Sequence, residues 1–139
     1  MLPKWHILFG AGFSLILYLF FNINLFNSII VFFASVFIDV DHYLFYIQKY
    51  KNWSLKKAYD WHKKLPKNHK PIMHLFHTIE FLTLILILSF VSNFFVFILS
   101  GMLFHSGFDI IDLSTRKDLS NREFSLIRYL LNKDKSRYF

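Results

Sequence analysis

The chain has 139 residues, 55% of them hydrophobic and 21% aromatic, with 19 Phe, no Cys and a formal charge of +7. A disordered tail is excluded, because such chains lack the apolar side chains to collapse, and without cysteine there is no disulfide-stapled module, cysteine zinc finger or thiol nucleophile. A soluble protein this basic would point to nucleic acid, but the placement of the charges gives a different account, with no nucleic-acid partner.

In chain order, four apolar runs read as membrane spans: residues 5–21, 25–47, 72–91 and 94–113. Each is close to the ~20 residues a helix needs to cross ~30 Å of hydrocarbon. A chain this short could not cover four such helices in water. Phe13 to Phe21 and Phe81 to Phe90 have no polar stripe at helical spacing, which a soluble bundle would need. No small-x-small cleavage site follows the first run, so it is expected to be retained. Between runs one and two, and between runs three and four, there is no Lys or Arg. All basic residues fall at Lys4, in the connector 48–71 and in the tail 114–139. The positive-inside rule then places both termini and the connector in the cytoplasm of a multi-pass cell-membrane protein. The same lysines favour anionic lipid headgroups as partners.

The connector carries Leu55, Ala58, Tyr59, His62 and Leu65 at helical spacing opposite Lys56, Lys57, Asp60, Lys63 and Lys64, with Trp53 and Trp61 suited to headgroup depth. It reads as an interfacial amphipathic helix over Ser54 to Leu65, with His62 as an interfacial residue. In the tail, Ser120-Asn-Arg-Glu123 reads as a capping box opening an amphipathic helix with Phe124, Ile127, Tyr129, Leu130 and Leu131. The expected fold is therefore all-α: a four-transmembrane-helix bundle over residues 1–113, followed by a basic cytoplasmic tail over 114–139.

Ionisable side chains stand inside or at the ends of these runs: His6; Asp39, Asp41 and His42; His74, His77 and Glu80; His105, Asp109 and Asp112. A carboxylate costs roughly 2.5–3.5 kcal/mol at the centre of a spanning helix. With alternating span direction, all four sets fall in the cytoplasmic half of the bilayer. His105, Asp109 and Asp112 share one helical face, as do His74 and His77, with Glu80 at its edge. Asp39 and His42 share a face, and Asp41 joins them only if the helix breaks there. Gly10, Ser14, Gly101 and Gly107 are expected to let helices approach closely around the site.

No Lys or Arg within the spans neutralises these carboxylates, which leaves imidazolium or a metal ion. Imidazole mixed with carboxylate suits zinc, and also manganese or iron. Asp39, Asp41, His42, His74, His105 and Asp109 form the core of that expected one- or two-metal site. Asp112, Glu80 and Thr78 are candidates to hold the ligands in orientation. There is no Gly-rich phosphate loop, no His-Glu-x-x-His motif and no nucleophile triad.

Asp39-Val-Asp41-His42 resembles the Pro-Asp-Ile-Asp-His segment of the YdjM-like membrane-bound metal-dependent hydrolases. That family carries a His near the start of its first helix, matched by His6 in Trp-His-Ile-Leu-Phe-Gly10. Its His-Arg-Gly-x-Thr-His segment is matched at the two His of His69-Lys-Pro-Ile-Met-His74, without the Arg, Gly and Thr. Its His-x-x-x-Asp is matched by His105-Ser-Gly-Phe-Asp109. The sequence departs at Ile38, where the family usually has Pro, and His77 and Glu80 stand near the altered segment as possible compensation. The His-x-x-x-Asp alone also resembles zinc-dependent phospholipase C. The resemblance covers roughly residues 5–112 and implies a metal-dependent hydrolase, with His6 and His69 completing the ligands.

The expected function is thus hydrolysis of an ester or phosphodiester, a lipid headgroup among them, at the cytoplasmic membrane face. Asp39, His42, His74, His77, His105 and Asp109 are expected as ligands, and Asp41 or Glu80 as general base. The alternatives are an ion, proton or metal transport module, or a non-catalytic protein stabilised by its metal.

Overall fold

The computed structural model describes residues 3–66 and 69–138. Met1, Leu2, Lys67, Asn68 and Phe139, which belong to the predicted bundle, connector and tail, lie outside the described residues. Helix, 3-10 turns included, makes up 75% of the described residues, so the fold is all-α. The helices are α1 (Pro3–Phe20), α2 (Leu25–Phe37), α3 (Val40–Tyr50), α4 (Leu55–Lys63), α5 (Ile79–Ser89), α6 (Asn93–Arg116) and α7 (Leu126–Leu131). Two short strands, β1 (Ile72–Met73) and β2 (Arg122–Glu123), pair in parallel with Ile72 opposite Arg122.

Two stretches are long and apolar enough to cross a membrane: the nearly continuous 25–50 segment and α6. The third predicted span departs from expectation. Helix begins only at Ile79, and eleven residues reach about 16 Å, roughly half the apolar thickness of a bilayer. Residues 72–77 are instead a strand and a 3-10 turn (Leu75–His77), and Thr78 starts the helix by accepting from the Phe81 amide. The second predicted span is broken at Ile38–Asp39, where α2 gives way to α3.

α2 and α6 form the centre of the bundle, with α1 packed on α2 and α5 on α6. Val31 and Ser35 of α2 are fully or almost fully buried, and Ile38, Ile85 and Met102 form a core flanked by Phe76, Phe81 and Phe95. Outward residues such as Leu15, Phe20, Phe33, Ile87 and Leu103 remain exposed. Two glycines set the central spacing. A Cβ on Gly101 would meet the Val31 carbonyl and lie 2.9 Å from Ala34 Cβ, and one on Gly10 would meet Ser35 Oγ. Ser14 is buried, its carbonyl accepting from Ser28 Oγ at 2.6 Å. Gly107, by contrast, has nothing within 4 Å of its Cβ position and takes no part in close approach.

The tail departs most from expectation. Ser120–Glu123 does not cap a helix. Leu119–Asn121 is a 3-10 turn, and β2 follows it directly. Ser125 is the actual cap of α7, accepting from the Arg128 amide. Burial explains the difference: Arg122 and Glu123 are both buried, and each finds its partner away from the predicted box. Glu123 accepts from Arg128 Nε at 2.9 Å and from Tyr138 Oη at 3.1 Å. Burial pushes the Glu123 carboxyl up, but Arg128, the Ser125 amide and Tyr138 outweigh it and hold it below its ordinary value.

Gly101→Ala is expected to lower stability by about 1–3 kcal/mol, the usual cost of overpacking. Gly107→Ala is expected to be neutral or to gain up to about 1 kcal/mol from helix propensity. Thermal melts in detergent check the pair. Because Glu123 titrates lower folded than unfolded, its contribution is present above its ordinary value of 4.5 and is lost as pH falls through the folded value. Limited proteolysis is therefore expected to leave the tail intact at pH 7 and to cut it progressively below pH 4.5.

Candidate metal centre

Four parts of the fold converge where α1 begins and α2 ends. α1 brings His6, and the α2–α3 break brings Asp39, Asp41 and His42. The segment before α5 brings His74 and His77, and one face of α6 brings His105 and Asp109. The break matters locally: Asp39 precedes α3 without capping it, so its carboxylate stays with the cluster. It also lets Asp41 point inward together with Asp39 and His42. His74 and His77 are both buried although they do not share a helix face.

Three overlapping groups could each hold a metal ion, with ligand atoms within 4.8 Å of one another: His6, Asp39, His105 and Asp109; Asp39, His42, His77 and Asp109; Asp41, His42 and His74. His105 Nδ1 lies 2.7 Å from the Ser35 carbonyl, and His77 Nδ1 lies 3.0 Å from Asp41 Oδ2. A carbonyl and a carboxylate only accept, so both rings donate through Nδ1 and turn Nε2 towards the cluster. Those two Nε2 atoms are 3.3 Å apart. Two lone pairs at that distance repel unless a proton or a metal ion lies with them. His105 Nε2 is also 3.3 Å from Asp39 Oδ1, and His6 Nε2 is 3.3 Å from Asp109 Oδ1.

The donor set fits a divalent ion. His6 Nε2, His74 Nδ1 and Asp41 Oδ1 are buried without a hydrogen-bond partner, a costly state that coordination would relieve. Asp41 Oδ2 accepts from His77 Nδ1 and from the Phe76 amide at 2.9 Å. Such a carboxylate–histidine pair fixes a ligand's tautomer and raises its basicity. His6 stacks on His105 with centroids 3.9 Å apart, and His42 stacks on His74 at 3.6 Å.

Not every predicted residue joins this cluster. Glu80 faces the tail, accepting from Ser125 Oγ at 2.6 Å and from the Leu126 and Ile127 amides. Its carboxylate serves the start of α7, which removes the geometric basis for a general base there. Thr78 is fully buried, but its hydroxyl donates to the Leu75 carbonyl and caps α5. Asp112 pairs with Arg116 at 3.0 Å. His69 belongs to none of the three groups, and its Nδ1 lies 2.7 Å from the Lys70 carbonyl. His69 and Asp112 both line the cavity described next.

Three residues do more than the sequence suggests. Arg122, expected among the solvated basic tail, is buried with Nη1 donating to Asp109 Oδ2 at 2.9 Å and Nη2 to His42 Nε2 at 3.3 Å. His62 lies with Nε2 3.0 Å from the His42 carbonyl. Burial holds its imidazole below the ordinary value. Ser35 orients His105 through its backbone, which no residue pattern announces.

One side of the cluster opens on a cavity of about 640 Å³. Asp39, His42, His74 and Asp109 line it, Asp39 and His42 with side chains 21% and 27% exposed, while His6, His77 and His105 lie behind them, almost fully enclosed. Leu55, Ala58, Tyr59, His62 and Leu65, the face expected to lie on lipid, form one cavity wall, and Lys63, Arg116 and Arg122 place cations around it.

Asp41→Asn is expected to lower divalent-metal affinity by about 10–100-fold, the usual effect of losing such an orienting partner. Glu80→Gln should loosen the tail and, through it, lower that affinity by less than Asp41→Asn does. Competition with a chelating dye measures the first effect, and protease sensitivity of the tail the second. No family model, curated protein or solved structure matches the chain.

Proposed function

We propose that this protein is a membrane-embedded, metal-dependent hydrolase, akin to the YdjM-like family in its Asp39-Val-Asp41-His42 and His105-x-x-x-Asp109 segments. Four segments enter the bilayer in this reading: α1, residues 25–50, the short α5 with its non-helical approach, and α6. The termini, α4 and the cavity lie on the cytoplasmic side, because the basic residues concentrate there. Zinc is the ion best suited to the donors, with manganese or iron as alternatives.

The observation that carries this reading is the one-sided opening of the cluster. A purely structural metal site closes its shell, whereas a catalytic one keeps a position facing substrate. Here His6, His77 and His105 lie on the bundle side, and Asp39, His42, His74 and Asp109 lie on the cavity side. A bound divalent ion supplies Lewis acidity and an activated water near neutral pH.

The protein's own residues do the rest. Asp41 positions His77, and Ser35 positions His105. Asp39 and Asp109 are both placed at cluster and cavity, and Asp39, the more exposed of the two, is the one positioned to take a proton from water entering there. The apolar face of α4 on one wall suits an acyl chain, and a metal ion in the cluster together with Lys63 would offset the Asp39, Asp109, Asp112 and Asp118 carboxylates that also line the cavity, of which Asp109 and Asp112 are already paired with Arg122 and Arg116. Of the two ester classes this favours the phosphodiester, with a phospholipid headgroup delivered laterally from the membrane.

Detergent-purified protein should hydrolyse short-chain phospholipids or a nitrophenyl phosphodiester only when loaded with metal. Exhaustive chelation should abolish turnover and zinc should restore it. His105→Ala and Asp109→Asn should lower kcat by at least about 100-fold with circular dichroism unchanged. A zinc-loaded wild type inactive on both substrates removes the proposal. Variants that unfold when a ligand is lost would favour a structural metal site.

A further inference from the structure

We propose that Arg122 is a built-in second cation of this centre, held where a second metal ion would otherwise sit, so that the protein takes one divalent ion and not two. The inference rests on the reading of the cluster as a metal centre and decides how that centre is filled.

Geometry separates the three ligand groups. In the second group, Asp39, His42, His77 and Asp109, the guanidinium already holds two members: Nη1 on Asp109 Oδ2 at 2.9 Å and Nη2 on His42 Nε2 at 3.3 Å. In the third group, Asp41, His42 and His74, the guanidinium holds the shared His42 alone, and His74 Nδ1 and Asp41 Oδ1 face each other at 3.8 Å. In the first group, His6 Nε2 has no hydrogen-bond partner, and it faces Asp109 Oδ1, the oxygen turned away from Arg122. Asp109 thus divides its two oxygens between a position for a metal and the guanidinium.

Charge points the same way. Asp39, Asp41 and Asp109 bring three negative charges, Arg122 returns one, and ligand imidazoles are neutral. One divalent ion closes the balance. A second would leave a double positive charge among side chains mostly buried from water, a costly state. A guanidinium does not deprotonate at any pH the protein survives, so it cannot yield by losing charge. Its backbone is fixed by the parallel pairing of Arg122 with Ile72.

The test is zinc stoichiometry of the full chain in detergent, by mass spectrometry after equilibration with excess zinc and desalting, and by calorimetric titration. Wild type is expected to hold one equivalent. Arg122→Gln, which removes the charge and releases His42 and Asp109, is expected to hold two, and Arg122→Lys, which keeps the charge, is expected to hold one. Two equivalents in wild type or in Arg122→Lys would overturn the inference while leaving the metal centre standing, and so would a folded Arg122→Gln that stays at one. No zinc in wild type would remove the metal centre itself. Should Arg122→Gln fail to fold, as judged by circular dichroism, the wild-type and Arg122→Lys counts still decide.

Discussion

Three carboxylates gathered within 4 Å of one histidine ring, that of His77, inside an apolar bundle, need positive charge beside them. Asp39, Asp41 and Asp109 set that condition, and much of the fold answers it. The break between α2 and α3 turns two of them inward together. The irregular segment before α5 brings His74 and His77 to them. The tail returns across the bundle end to insert Arg122. Each device departs from ideal helical geometry, and departures of this kind persist where a site requires them.

The held rings show how the site is prepared. His77 is fixed by Asp41 and His105 by the Ser35 carbonyl, so two Nε2 lone pairs meet before any ion arrives. Such preorganisation places the cost of assembling like-polarity groups on folding and returns it when a cation binds. Gly101 is part of the same arrangement. It seats α6 against α2 one turn before His105, and the His105–Ser35 hydrogen bond requires those two helices in contact.

The sequence made the site more legible than the fold around it. His6, Asp39, Asp41, His42, His74, His77, His105 and Asp109 could be gathered as the ionisable residues at the ends of apolar runs, and they lie together in the structure. What an apolar run does not reveal is whether it is helical throughout, so residues 72–78 could not be told from the helix that follows. Periodicity located the face of α4 carrying Leu55, Ala58, Tyr59 and His62 but gave no hint of what lies against it; the cavity does. Glu80 was recognisable as a carboxylate needing partners, yet those partners are 45–47 residues away in the tail. Arg122 was the hardest to foresee. It lies 80 residues from His42, among other basic residues, and nothing in its surroundings marks it for burial.

Backbone hydrogen bonding gives the tail a second reason to be where it is. Non-helical chain at the edge of an apolar layer leaves amide and carbonyl groups that only other protein or a watered cavity can satisfy. The segment carrying His74 and His77 is of this kind. β2 pairs with Ile72 and Met73, and the Phe124 carbonyl accepts from the Ile79 amide at 2.9 Å. In return, the Glu80 carboxylate takes up amides at the start of α7. The strand that supplies these bonds also carries Arg122 to Asp109 and His42. The hydrogen bonds that hold the irregular segment therefore come from the docked tail, and the same docking delivers the guanidinium. Metal affinity and tail docking should consequently rise and fall together, which a bundle whose tail merely trailed in solution would not show.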